Sequence, residues 1–170
     1  MSEALARPVD GLAGRTAVPG DKSISHRALM LSALTVGRSH IRGLLAAADV
    51  RTTATAMEAL GATVHGPDQA GTVTVDGVGV GGLAEPRGAL DLGNSGTGAR
   101  LLLGLLATHP IRATLIGDAS LTRRPMGRVL TPLSATGARF EAASGGRLPV
   151  TMIGTDAPLS LETRLSIPSA

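Results

Sequence analysis

One order of predicted elements occurs twice along this chain of 170 residues. In its first occurrence, apolar residues at helical spacing in SHRALMLSALTVG predict a helix from about Ser25 that stops at Gly37, and a short strand follows in RSHIRGLL. A second helix is predicted in DVRTTATAMEALGA, with Asp49 as its N-cap. Turn residues inside ATVHGPDQAGTVTVDGV then predict a hairpin that closes the block.

The same order returns in the second half of the chain. A strand, a glycine-rich turn and a helix are predicted in ALDLGNSGTGARLLLGLLA, a strand in IRATLIGD, and a helix with a hairpin in MGRVLTPLSATGARFEAASGGRLPVTMIG. Gly61 of the first block corresponds to Gly137 of the second. The two blocks share the order of their predicted elements, but their sequences are not identical. These blocks are longer than the roughly 20–50 residues of a solenoid repeat. Because each block contains both helices and strands, we expect an α/β (α+β) domain in which sheets and helices pack against each other. LETRLSIPSA is typical of a strand that opens a third block.

The core of such a domain must be aliphatic. Phe140 is the one aromatic residue, although 43% of the residues are hydrophobic. Base stacking on aromatic rings is therefore nearly excluded, and a net charge of only +3 indicates discrete anion sites rather than a nucleic-acid surface. The absence of cysteine excludes disulfides, thiolate metal sites and cysteine nucleophiles.

The sequence also argues against membrane and metal sites. Its longest apolar runs are far shorter than a membrane span, and the first 17 residues lack the apolar centre of a signal peptide, so we expect a cytoplasmic protein. The histidines have no metal-ligand spacing, and we expect each of them at the surface or at a helix end: His26, His40, His65 and His109. No cofactor or metal is predicted.

The segment GDKSISHR contains the one lysine, Lys22, among 16 lysine and arginine residues. Gly20 permits a tight turn, and Lys22 and Ser23 lie at a predicted helix N-terminus, where free N–H groups favour an anion. Arg27 lies one turn later on the same face. The segment predicts a phosphate or carboxylate site, although a serine cap flanked by two surface cations would give the same pattern.

The segment LGNSGTGAR repeats this arrangement before the corresponding helix. Glycines allow close approach of a ligand, Asn94 and Thr97 offer polar groups, and Arg100 follows Gly96 by one turn. A glycine-rich turn capped by Asn94 or Thr97 is the structural alternative.

A third basic segment, LTRRPMGR, adds Arg123, Arg124 and Arg128. It could be a solvated loop. If it meets the two glycine-containing segments, the three would form a pocket for a ligand with several phosphate or carboxylate groups.

Four motifs together resemble the 5-enolpyruvylshikimate-3-phosphate synthase (3-phosphoshikimate 1-carboxyvinyltransferase) family: PGDKSISHRALM, LGNSGTGARLL, GDASLTRRPMGRVL and RLPVTMIG. They occur in the family's order and extend the resemblance over nearly the whole chain from Thr16. The related enolpyruvyl transferases that act on UDP-N-acetylglucosamine typically have Gly-Ala-Lys-Asn at the first motif and a reactive cysteine. This chain has Asp21 and Ser23 there and no cysteine.

The resemblance implies a two-domain enzyme whose domains each contain three β-α-β-α-β-β units, with the active site in the cleft between them. Residues 1–18 would cross to the partner domain, and residues 19–170 would form an incomplete N-terminal domain with units at about 19–80 and 88–155 and a third starting near 158. The chain would then be an N-terminal fragment. Exposed apolar surface and sheet edges next to the missing third unit would favour self-association.

The resemblance also assigns site residues. Those implied for shikimate 3-phosphate are Lys22, Ser23, Arg27 and Ser169. Those implied for phosphoenolpyruvate are Lys22, Asn94, Gly96, Thr97 and Arg124, with Arg100 as a supporting cation. Lys22 would be catalytic, between the two substrates.

The implied reaction transfers a carboxyvinyl group from phosphoenolpyruvate to the 5-hydroxyl of shikimate 3-phosphate, on the route to chorismate and the aromatic amino acids. The family's acid and base residues mostly belong to the other domain, so we expect this chain alone to be inactive. The alternative is a non-catalytic anion-binding or assembly module of the same fold. Gly96 predicts sensitivity to glyphosate, whereas Leu101 and the Ser-Ala ending resemble insensitive members, so the inhibitor class stays open.

Overall fold

The computed structural model describes residues 13–163, together with positions 5, 7, 8, 10 and 11. These residues form helices and two sheets, which confirms the predicted mixed class. Within the described part of the chain, no helix is both long and apolar enough to cross a membrane. Residues 158–163 form neither helix nor strand, and the rest of the expected third block, including Ser169, lies outside the described residues.

The first half of the fold has two helices and a three-stranded antiparallel sheet. Its elements in chain order are α1 (Lys22–Ala33), β1 (Val36–Arg42), α2 (Ala48–Ala59), β2 (Thr63–His65) and β3 (Thr72–Val78). β3 is the central strand, so the sheet order is β1-β3-β2. The hairpin predicted for this block is the β2–β3 pair.

The second half has three helices and a four-stranded sheet. Its elements in chain order are β4 (Leu90–Asp91), α3 (Gly96–Ala107), β5 (Arg112–Ile116), α4 (Ala119–Thr122), α5 (Gly127–Ser134), β6 (Arg139–Ala143) and β7 (Arg147–Ile153). The sheet order is β4-β5-β7-β6, and β4 pairs parallel to β5 while the other pairs are antiparallel.

The two sheets share a strand order. β1-β3-β2 in the first half corresponds to β5-β7-β6 in the second. Gly61 and Gly137 follow α2 and α5 with φ angles of 106° and 102°, values that favour glycine. A Cβ added to Gly77 or Gly154 would overlap backbone oxygens at the ends of α1 and α3, so each sheet approaches its helix in the same way. The exact boundaries of the repeated units stay a prediction.

The core between helices and sheets is aliphatic, as predicted. α1, α2 and α3 contact one another. Their fully buried side chains include Leu29 from α1, Met57 from α2 and Leu102 from α3. Phe140 is only partly buried at the edge of this core. Burial of each such Leu or Met contributes roughly 1.5–3 kcal/mol, so these contacts hold the three helices in fixed relative positions.

Three predicted helix boundaries are wrong. α1 begins at Lys22 instead of Ser25, because the Asp21 carboxylate accepts a hydrogen bond from the Ile24 N–H at 2.8 Å and caps the helix three residues earlier. It ends at Ala33, and Gly37 lies in β1. Asp49 is not the N-cap of α2, because it lies in the first turn and pairs with Lys22 instead.

Candidate anion-binding site

Three helix N-termini meet in this structure. Lys22 at the start of α1 pairs with Asp49 in the first turn of α2. The buried ring of His26 contacts Thr53 of α2, with Nδ1 2.7 Å from Oγ1, and the N-cap of α3, Ser95, with Nε2 3.4 Å from Oγ. The structure thereby brings together the α1 turn (residues 20–27) and the α3 turn (residues 92–100), whose helix N-termini both favour a negative charge.

The α1 turn is held against the loop at residues 43–45. A Cβ on Gly20 would overlap the carbonyl oxygen of Gly43, so glycine is required there for close packing, and its φ is not in the left-handed region. The Ser25 hydroxyl donates to the Asp21 carbonyl at 2.7 Å and accepts from the Leu45 N–H at 3.0 Å. These contacts fix the backbone that carries Lys22 and Ser23.

The predicted cations of the α1 turn have different surroundings. Lys22 is about half exposed (48%), and its amine pairs with the less exposed Asp49 carboxylate. Arg27 is exposed and donates from Nη1 to the Ser23 carbonyl at 3.2 Å, which places Ser23 and Arg27 on one face, as predicted from their spacing. An anion that binds Lys22 must therefore compete with Asp49.

The α3 turn is capped by Ser95, not by Asn94 or Thr97. The Ser95 hydroxyl accepts from the Gly98 N–H at 3.1 Å and is completely buried. A Cβ on Gly98 would come within 2.6 Å of that oxygen, so a side chain there would displace the cap. Thr97 is half-buried in the first turn of α3.

Two guanidinium groups lie against Gly96. A Cβ at this position would be 2.9 Å from Nη1 of both Arg100 and Arg124. Arg100 donates to the carbonyl of Gly96 at 3.1 Å and to that of Pro125 at 3.3 Å. Arg124 donates to Asn94 Oδ1 at 2.6 Å and to the Ser120 hydroxyl at 3.2 Å. All four acceptors are neutral, so neither guanidinium has a carboxylate among these hydrogen-bond partners.

The charges of this arginine cluster (Arg100, Arg124 and Arg128) repel one another. Burial and the neighbouring charges of Arg128 and Arg124 lower the pKa of Arg100 below its usual value. None of the three takes part in the ion pairs found among the described residues, which join Lys22 to Asp49 and Asp76 to Arg38 and His65. A bound anion would relieve this repulsion, so the cluster favours phosphate or carboxylate groups.

Asp118 holds this arrangement from the other side and was not predicted from the sequence. Its Oδ2 accepts from the Asn94 amide at 2.9 Å, and its Oδ1 accepts from the Leu121 N–H at 2.7 Å as the N-cap of α4. These two hydrogen bonds lower the pKa of Asp118. Because the Asn94 NH₂ group faces Asp118, its carbonyl oxygen is left to face Arg124. An aspartate directly before a short helix was the signal that could have found it.

The expectation that each histidine lies at the surface or at a helix end is confirmed for His40, His65 and His109 and is wrong for His26. His26 is fully buried because it faces α2 and α3 from the inner side of α1. His109 is buried at the C-terminal end of α3, where its Nδ1 lies 2.9 Å from the Leu105 carbonyl oxygen. Within the described residues, no group of three potential metal ligands occurs.

Comparison with known proteins gives one consistent result. The family model for EPSP synthase (3-phosphoshikimate 1-carboxyvinyltransferase) matches residues 6–170. A 3-phosphoshikimate 1-carboxyvinyltransferase of Rhodospirillum rubrum is 62% identical over 162 residues, and one of Zymomonas mobilis is 56% identical over 166. These alignments cover 94% and 98% of this chain and 36% of each relative.

A solved structure is similar as well. The EPSP synthase from Acinetobacter baumannii superimposes with a TM-score of 0.86 at 40% identity, over 92% of this chain and 36% of that one. The present chain thus spans little more than a third of the length of the proteins that it matches.

Proposed function

This chain belongs to the EPSP synthase family, and we propose that it contributes the anion-binding turns of an enzyme that transfers the carboxyvinyl group of phosphoenolpyruvate to the 5-hydroxyl of shikimate 3-phosphate. The observation that carries the proposal is the arginine cluster next to Gly96, of which Arg100 and Arg124 lie against Gly96 and donate to neutral acceptors. Both substrates are multiply charged anions, and the α1 turn supplies a second cation site beside the cluster.

The proposed roles follow the two turns. The residues assigned to shikimate 3-phosphate are Lys22, Ser23, Arg27 and, beyond the described part, Ser169. The residues assigned to phosphoenolpyruvate are Lys22, Asn94, Gly96, Thr97 and Arg124, with Arg100 supporting Arg124. Lys22 would exchange Asp49 for a substrate oxygen, and its compact amine suits a position between two ligands better than a planar guanidinium.

In the proposed reaction the 5-hydroxyl oxygen bonds to C2 of phosphoenolpyruvate while C3 gains a proton. The tetrahedral intermediate then loses a proton from C3 and expels phosphate as its C–O bond breaks. The charges of the two turns would hold both anions in reacting geometry and stabilise the departing phosphate. The groups that move protons from the 5-hydroxyl and at C3 are assigned to the part of the protein outside this chain.

We assign residues 1–18 to a crossing segment and residues 19–170 to two units of an N-terminal domain and the start of a third. The exposed Val36 (92%) and Val80 (83%) support the expectation that further protein, or a second copy of the chain, covers part of this surface. A biosynthetic role would also agree with the expected cytoplasmic location.

The direct test is calorimetric titration of the chain with shikimate 3-phosphate. We expect saturable binding that Lys22→Ala weakens at least tenfold, because a charge-assisted contact contributes about 1.5–3 kcal/mol. Arg38→Ala is the matched control, since Arg38 is paired with Asp76 on the first sheet. Equal loss in both variants, or no binding by the unaltered chain, would refute the assignment of the substrate to this turn.

A second experiment separates an enzyme part from a non-catalytic module. The 170-residue chain is mixed with the remaining two-thirds of a relative, and phosphate release from phosphoenolpyruvate is followed. We expect no turnover by either part and measurable turnover by the mixture. If the chain binds the second part and the mixture still releases no phosphate, the alternative of an assembly module would be favoured.

A further inference from the structure

His26 has no role in the proposed reaction, yet it lies at the junction of the three helices. It is fully buried, one turn after Lys22 on α1. Its ring reaches Thr53 on α2 from Nδ1 and Ser95 on α3 from Nε2. Among the described residues, the His26–Ser95 contact is the only side-chain hydrogen bond that joins α1 to α3, whereas α1 and α2 are also joined by the Lys22–Asp49 pair.

The neighbours of the ring determine which nitrogen carries the proton. Thr53 donates its hydroxyl proton to the Asp49 carbonyl at 3.3 Å, so its oxygen can accept from His26 Nδ1. Ser95 already accepts from the Gly98 N–H, and donating its own proton to a bare Nε2 satisfies it. In the other tautomer the completely buried Ser95 hydroxyl proton has no acceptor among these contacts, which is costly. The contacts therefore favour the Nδ1–H tautomer.

The surroundings also keep the ring neutral. Burial and the charge of Lys22 lower the pKa of His26 below its usual value, Asp49 acts in the opposite direction, and Arg27 lowers it further. The contact from α3 is the uncharged Ser95 hydroxyl. A neutral ring can donate to one helix and accept from another, which an imidazolium cannot do.

We propose that His26 is a positioning residue that couples the α1 turn to the α3 turn, so that Lys22 and the arginine cluster face one bound anion or one pair of anions. The identity of those anions rests on the proposed function, whereas the coupling does not. Loss of the α1–α3 contact would leave each turn folded but would let the two sets of cations shift relative to each other, and small misplacements of this kind weaken binding strongly.

Two substitutions separate the contacts of the ring. Asparagine places its amide near the position of Nδ1 and keeps the contact to Thr53, whereas glutamine places its amide near Nε2 and keeps the contact to Ser95. We expect His26→Asn to weaken binding of inorganic phosphate and of shikimate 3-phosphate about tenfold, and His26→Gln about twofold. The unfolding midpoints of the two variants should be similar, and the exposed His40→Asn serves as the control.

The outcomes distinguish the inference from a purely structural role. The inference would be overturned if the phosphate affinities of His26→Asn and His26→Gln fell only in proportion to their losses of stability, whichever ring nitrogen the new amide replaces. Unchanged phosphate affinity in His26→Asn would also overturn it. Failure of the unaltered chain to bind phosphate would overturn it too, because no coupled anion site would exist. Phosphate binding that changes as expected, with no binding of shikimate 3-phosphate by any variant, would retain the coupling and refute the proposed substrate.

Nitrogen NMR of the ring gives a readout that needs no ligand. We expect the proton of His26 on Nδ1, a bare Nε2, and protonation of the ring only at a pH below the usual range for histidine. A His26 ring with the proton on Nε2, or one that is protonated already in the usual range for histidine, would contradict the hydrogen bonds from which the coupling is inferred.

Discussion

In the α1 turn the amine of Lys22 pairs with the carboxylate of Asp49, whereas the guanidinium groups of Arg100 in the α3 turn and of Arg124 beside it are held by neutral oxygens. The first arrangement cancels most of the positive charge until an anion displaces Asp49. The second orients each guanidinium without a carboxylate among its hydrogen-bond partners. Because an exposed ion pair contributes only about 0–1 kcal/mol, the α1 turn loses little when Lys22 changes partner.

The difference shows that the two turns are not equivalent, although their sequences follow one pattern. The arginine cluster brings repelling cations together beside the α3 turn and would be stabilised by a bound anion, while Lys22 in the α1 turn would exchange one partner for another. We therefore expect substitution of Arg124 or Gly96 to change anion affinity more than substitution of Asp49, the partner that Lys22 would give up.

The largest effect is expected for Arg124→Ala. Removal of a guanidinium that is oriented toward the site should weaken phosphoenolpyruvate binding by about 1.5–3 kcal/mol, or roughly 10- to 150-fold. Isothermal titration in the presence of shikimate 3-phosphate measures this, with Arg38→Ala as the control. An affinity within about twofold of that of the unaltered chain would mean that the cluster is not the anion site.

A smaller loss, about tenfold, is expected for Gly96→Ala. The added methyl group would come within 2.9 Å of two guanidinium nitrogens and push both arginines away from their present positions. The contacting atoms are the ends of flexible side chains, so the unfolding temperature should change little. Gly104→Ala, in the middle of α3 with open space at its Cβ, is the matched control and should stabilise the chain by about 0.5–1 kcal/mol without affecting affinity.

Asp49→Asn should act in the opposite direction. Loss of the competing carboxylate frees Lys22, and shikimate 3-phosphate should bind up to about fivefold more tightly, in line with the weak coupling of a half-exposed pair. The exposed Glu58→Gln on the same helix controls for the change in net charge. Weaker binding in Asp49→Asn would show that Asp49 orients Lys22 for the ligand and does not compete with it.

The smallest effect concerns pH. The folded-state pKa of Asp118 is lowered, so its contribution to stability is present above the unfolded value of about 3.9 and is lost as the pH falls through the lower folded value. The unfolding temperature of the unaltered chain should therefore fall more steeply below about pH 4 than that of Asp118→Asn. If the unfolding temperatures of the two proteins changed with pH in parallel, the hydrogen bond from Asn94 to Asp118 would not stabilise the fold.

Much of the fold could be predicted from the sequence. The helices and hairpins lie close to where apolar spacing and turn residues indicated them, because those signals act over a few residues. The start of α1 was wrong because Asp21 caps the helix before the apolar spacing begins. The spacing of Ser23 and Arg27 was also sufficient to place them on one face.

The partners of the site residues could not be predicted in this way. His26 and Ser95 are 69 residues apart in sequence, and Asn94 and Asp118 are 24 apart. A buried histidine at a helix start has the same local pattern as an exposed one, and only the packing of α2 and α3 against α1 distinguishes them.

The sequence by itself determined the order of elements, the aliphatic core, the two glycine-containing turns and the family, because each depends on residue type and short-range spacing. The tertiary structure alone decided that Lys22 is paired, that Arg100 and Arg124 are held by neutral oxygens, and that His26 joins the two turns. Charge compensation and burial depend on distances across helices, and those distances are set by the packing of the whole core.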